Sequence, residues 1–182
     1  SALGSVRKSF LADAVRIDRQ VLPDLDTAID SLTNRLGLTE KCECYVHNYP
    51  MIQAGVARSP NGFIILLASA AVEKLGPKEL EFVIGHEIGH VVFGHLDTPV
   101  HSVLNTDRRI QPKHAMRLLS WSRKKEISAD RAGLVCCGSL EAGASALFKT
   151  ASGLSIPGLK VNPLEFGNQF DALQREMFQR GA

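Results

Sequence analysis

Apolar positions recur at helical spacing over much of the chain. Leu25, Ile29, Leu32 and Leu36 fall on one face of a helix predicted over residues 24–36, with Pro23 ahead of it and Gly37 as its stop. An earlier helix is predicted over residues 9–20. From 42 to 47 the pattern shortens to a weak alternation, the mark of a strand. Residues 53–57 and 62–68 flank Arg58-Ser59-Pro60-Asn61-Gly62, a turn signal that predicts a hairpin. A short helix over 70–75 follows. Gly76-Pro77 then opens a central helix running toward His95, with Pro77 at its first position and Glu79 in its first turn.

Beyond it, residues 98–111 are irregular and read as a long loop. Further helices are predicted over 122–137, stopped by Gly138, and over 140–152, ended by Gly153. Asn162-Pro163-Leu164-Glu165 has the form of a capped helix start, with Phe170, Leu173 and Met177 as the buried stripe. Many helices and a small sheet make an α+β fold. A chain of 182 residues fits one domain: N-terminal helices to residue 40, a core over 41–137, and C-terminal helices over 138–182. Such a domain buries roughly 70% of its unfolded surface and needs no staples.

Composition changes this picture little. Apolar residues make up 45% and charged residues 22%, as in soluble globular proteins. A net charge of +2 gives no reason to expect a nucleic-acid or membrane partner. The longest apolar run, Phe63 to Val72 with Ser69 inside it, falls short of the ~20 residues of a membrane span. Cys42, Cys44, Cys136 and Cys137 lack the Cys-x-x-Cys spacing of zinc ribbons. Free thiols in a reducing, cytoplasmic setting are expected.

The chemistry concentrates in His86-Glu87-Ile88-Gly89-His90. At about 100° per residue, His86 and His90 project from one helix face about 40° apart. Glu87 stands on the flank of that face, where its carboxylate reaches a metal-bound water without displacing it. Leu80, Ile84, Ile88 and Val91 lie opposite and face the core. Gly85 and Gly89 line the other flank and admit a close neighbour. A catalytic zinc takes three protein ligands and keeps one position open. Among His95, His101, His114 and Glu126, a continuous helix puts His95 near 180°, away from the pair unless the helix ends before it. Glu126 is preferred, because Glu126 and Asp130 share a helix face four residues apart. One carboxylate then binds metal while the other orients a ligand histidine. The competing role for Glu126 is a cap or an ion pair with Lys124, Lys125 or Arg131.

Residues 80–90 followed by Glu126-Ile127-Ser128-Ala129-Asp130-Arg131 resemble the HtpX-like family of gluzincin peptidases, which also includes the CaaX prenyl endopeptidases. The likeness spans roughly residues 44–137. It implies one zinc per chain on His86, His90 and Glu126, with Glu87 as general base and Asp130 behind a ligand. It also implies that the strand at Gln53, Ala54 and Gly55 pairs with an extended peptide, although Gln53 stands where Asn is more usual. Many family members carry membrane helices, and none is expected here. Some stabilise the oxyanion with a downstream His or Tyr, which this chain lacks after His114 and Tyr49. Arg131 and Arg175 are the remaining candidates, against structural ion pairs for both.

The expected activity is zinc-dependent hydrolysis of peptide or protein substrates by an endopeptidase. Two other readings stand beside it. One is a latent peptidase whose cleft is filled by residues 156–180; the other is a chaperone-like module with a four-ligand structural zinc. The basic stretch at Arg108, Arg109, Lys113, Arg117, Arg123, Lys124 and Lys125 reads as a solvated face, and Trp121 as packing.

Overall fold

The computed structural model describes residues 13–97 and 112–169, with backbone alone for 112–119. Strand β1 (Ala14–Ile17) leads into helix α1 (Pro23–Arg35), and strands β2 (Lys41–His47), β3 (Ala54–Ser59) and β4 (Gly62–Ala68) follow. Helices α2 (Ser69–Lys74), α3 (Pro77–Val92), α4 (Pro112–Cys137) and α5 (Leu140–Ser152) complete the order, with a 3-10 turn at His95–Asp97. The α+β expectation holds.

Among the described residues the sheet runs β1-β2-β4-β3. β2 and β4 are parallel, while β1 and β3 pair antiparallel on the outside. Its inner face presents Ile17, Cys44, Phe63, Ile65 and Leu67 to Leu25, Ile29 and Leu32 of α1 and to Ile84, Ile88 and Val91 of α3. The apolar stripes expected on both helices are therefore the ones that meet the sheet. The hairpin forms as expected, with Ser59 opposite Gly62 across the two-residue loop Pro60-Asn61.

Two expected elements differ. Residues 9–20 were to be helical; 9–12 lie outside the described residues, and Ala14–Ile17 is a strand, with Arg16 opposite Tyr45 and Ile17 opposite Cys44. Ile17 is buried and β-branched, and pairing with β2 outweighs local helical spacing. Asp18 then turns the chain, its Oδ1 accepting the N–H groups of Gln20 at 2.8 Å and Val21 at 3.0 Å. The second difference is α4, which starts at Pro112, ten residues before the expected 122. Proline suits a first helical position, since its missing N–H is no loss there.

The C-terminal expectations hold where they are described. Gly153, at φ +71°, ends α5. Asn162 Oδ1 accepts from the N–H groups of Leu164 and Glu165, capping a helix over 163–169. The stripe Phe170, Leu173 and Met177 lies outside the described residues. All four cysteines are free thiols, three of them buried. Burial pushes Cys136 up to about 11, which keeps it protonated.

Candidate metal centre

Glycine sets how closely the two long helices approach. A Cβ on Gly85 would stand 2.5 Å from Cys136 Cβ and 3.1 Å from Gly133 Cα. One on Gly89 would stand 2.8 Å from Ala132 Cβ and 3.1 Å from Ala129 Cα. α3 and α4 therefore touch along small residues, and Glu126 and Asp130 come down beside the histidines.

There His86 Nε2 and His90 Nε2 lie 3.1 Å apart. Glu126 Oε2 is 3.5 Å from the first and 3.8 Å from the second. A tetrahedral zinc with arms of about 2.0–2.1 Å has ligand–ligand edges of roughly 3.3 Å, so this triangle fits such an ion. The three residues form a group that could hold a metal. Glu126 Oε2 therefore faces both histidines, whatever part it also takes in pairing with a neighbouring lysine or arginine. On the far side of its ring, His86 Nδ1 meets Asp130 Oδ1 at 2.9 Å. That places Asp130 where a ligand-orienting carboxylate belongs.

The side chains of this group act on one another's charge. Burial opposes a charge on His86, but hydrogen bonds to Asp130 and Glu126 outweigh it and raise the imidazole to about 10. Burial and the charged His86 push His90 down to about 4. Burial pushes the Glu87 carboxyl up to about 7; His86 opposes the rise and Glu126 adds to it. A carboxylate poised near neutrality is suited to taking and returning a proton.

Glu87 also borders a cavity of about 140 Å³, lined by Ile52, Gln53 and Ala54 before and in β3, Phe82, Val83 and His86 of α3, and Leu147 and Thr150 of α5. Of the three residues expected to meet a peptide, Gln53 and Ala54 line this cavity and Gly55 does not. A larger cavity of about 320 Å³ between α1 and α3 includes Leu22, Leu25, Val72 and Leu80 but none of the metal-site residues. Arg131 is exposed, and Arg175 lies outside the described residues. His101 and the His114 side chain also lie outside them, while His47 stacks on Tyr49.

Sequence reasoning set His95 aside, and the structure brings it back. α3 stops at Val92, and Gly94 at φ +65° reverses the chain. His95 Nδ1 then lies 3.0 Å from His90 Nδ1. The available signal was Gly94 itself, a left-handed terminator just ahead of the histidine. Lys125 departs from the solvated basic face. It is buried, donates to the His95 carbonyl at 2.5 Å, and lies over the Trp121 ring at 3.9 Å.

The profile of peptidase family M48 matches residues 20–106. That segment is similar to the M48 peptidases. The match takes in strands β2, β3 and β4 and the His86–His90 segment and ends before Glu126, so the place of Glu126 beside the two histidines rests on geometry. No curated protein matches the chain as a relative. Among the described residues, no helix is long and apolar enough to cross a membrane.

Proposed function

We propose that the chain is a zinc-dependent endopeptidase in which Glu87 is the general base. The observation that carries this reading is the convergence of His86 Nε2, His90 Nε2 and Glu126 Oε2 on one point, with Glu87 next to His86 in the lining of the adjoining cavity. A structural zinc wants a fourth protein ligand, and among the described residues the group contains three. His86, His90 and Glu126 would hold the ion. When bound, it would supply Lewis acidity to the scissile carbonyl and acidity to an attacking water.

The chain's own residues do the rest. Glu87 takes the water's proton on its carboxylate and returns it to the leaving amine. Asp130 accepts from His86 Nδ1 and fixes that ring. β3 is an outer strand of the sheet, beside α3, and offers its backbone to an extended peptide. The cavity beside Glu87 receives an apolar side chain of that peptide on Ile52, Phe82, Val83 and Leu147. Among the described residues, nothing beyond Thr150 lines that cavity.

The test is Glu87→Gln, assayed on a library of unstructured peptides together with metal content. The variant is expected to keep stoichiometric zinc and to lose at least ~10²-fold in kcat. Unchanged turnover in this variant would refute the assignment of Glu87.

A further inference from the structure

A histidine that offers Nε2 to a metal must carry its hydrogen on Nδ1. For His86 the acceptor of that hydrogen is Asp130. For His90 the atom within reach is Nδ1 of His95, at 3.0 Å, with the two rings inclined at 68°. Two ring nitrogens at this distance need one donor and one acceptor. If His90 donates, His95 Nδ1 is the lone pair, and the His95 hydrogen sits on Nε2. That atom lies 3.3 Å from Ser128 Oγ. The Ser128 hydroxyl in turn donates to the carbonyl of Lys124 or Lys125, both at 2.9 Å.

In this arrangement each atom has one role from His90 to the backbone of α4. The opposite assignment places the His90 hydrogen on Nε2 and closes the metal side. His95 is also fixed from outside the ring pair: Lys125 Nζ holds its carbonyl, and Phe93 stacks on its ring with centroids 5.6 Å apart. We propose that His95, turned back by Gly94, accepts the Nδ1–H of His90 and holds that ring with Nε2 free for a metal. His95 is thus a positioning residue, the counterpart for His90 of Asp130 for His86. Ser128, between Glu126 and Asp130 on α4, orders His95. This inference rests on the metal reading of the site.

The test uses the full chain and zinc alone, with dissociation constants from competition against a chromophoric chelator. Asn at position 95 puts its Oδ1 where the histidine has Nδ1, whereas Gln reaches toward the Nε2 end. His95→Ala and His95→Gln are expected to weaken zinc by about 10–100-fold, as loss of an outer hydrogen-bond partner does. His95→Asn is expected to recover most of that loss. A role in packing alone predicts the reverse order, because Gln is nearer to His in size; that order, or three variants binding like wild type, overturns the proposal. Thermal midpoints of the zinc-free variants separate these effects from misfolding, and the Asn–Gln comparison stands even if the Ala variant unfolds. Absence of zinc binding by the wild-type chain would defeat the metal centre itself, and the role of His95 with it.

Discussion

Glu79 stands two turns before His86 and takes no part in the chemistry, yet it ties the start of α3 to α5. Its carboxylate accepts from the Gly76 N–H at 2.6 Å, from Ser145 Oγ at 2.5 Å and from Lys149 Nζ at 2.7 Å. Burial opposes its ionisation, but the bonds from Lys149, Ser145 and Gly76 win and hold its pKa below the ordinary carboxylate value. A depressed acid stabilises the fold above its unfolded pKa and loses that contribution as pH falls through the folded one. Glu79→Gln should therefore cost about 1.5–3 kcal/mol at pH 7, the range for bonds to a charged group. Urea unfolding should show the gap narrowing below about pH 4; equal gaps at pH 7 and pH 3 would remove the ionic explanation. At this scale the sequence was readable where one residue type serves one purpose. His86, Glu87 and His90 announce themselves by spacing, and Glu126 and Asp130 by their i,i+4 pairing. His95 was hidden because a wheel continues a helix that Gly94 in fact ends.

The contact between α3 and α4 carries the site, and it depends on side chains that are missing. Gly89→Ala should gain ~1 kcal/mol of helix propensity. The new methyl must find room 2.8 Å from Ala132 Cβ and 3.1 Å from Ala129 Cα, and overpacking typically costs 1–3 kcal/mol. The second effect should prevail. Ala129 lies beside Asp130, so parting the helices also moves the Glu126 and Asp130 carboxylates away from the histidines. Zinc affinity is expected to fall at least ~10-fold, with chelator competition as the check; affinity equal to wild type would mean that the interface yields elsewhere. Glycines on the flank of α3 were legible as points of close approach, although their partners in α4 were not. β1 was misread because four residues carry little periodicity and pairing with β2 decides their state. The early start of α4 escaped because nothing periodic separates a loop from a helix opened by Pro112.

Across the whole molecule, His86 and His90 come from one long helix and Glu126 from another, with 35 positions between His90 and Glu126. An ion that binds all three pins α3 to α4 only when the chain is folded, so it adds to stability by mass action. At zinc 100 times its dissociation constant the gain is about 2.7 kcal/mol. Calorimetry should find a higher melting temperature with zinc than with chelator, and Glu126→Ala should abolish most of the difference. An undiminished shift in that variant would exclude Glu126 as a ligand. The helix-rich α+β fold was readable from local pattern, whereas the order β1-β2-β4-β3 was not, because it is set by pairings between distant strands. That order has a further consequence. Among the described residues β3 ends the sheet, with one row of amides and carbonyls turned away from β4, and an edge that can take a guest strand can also take its own kind. The molecule limits this exposure: β3 has six residues, and Arg58 near its end is held by Glu40 at 2.7 Å. A short, charged border resists the edge-to-edge stacking of copies that leads to aggregation, so the proposed pairing with a peptide and the resistance to self-association fall on the same six residues.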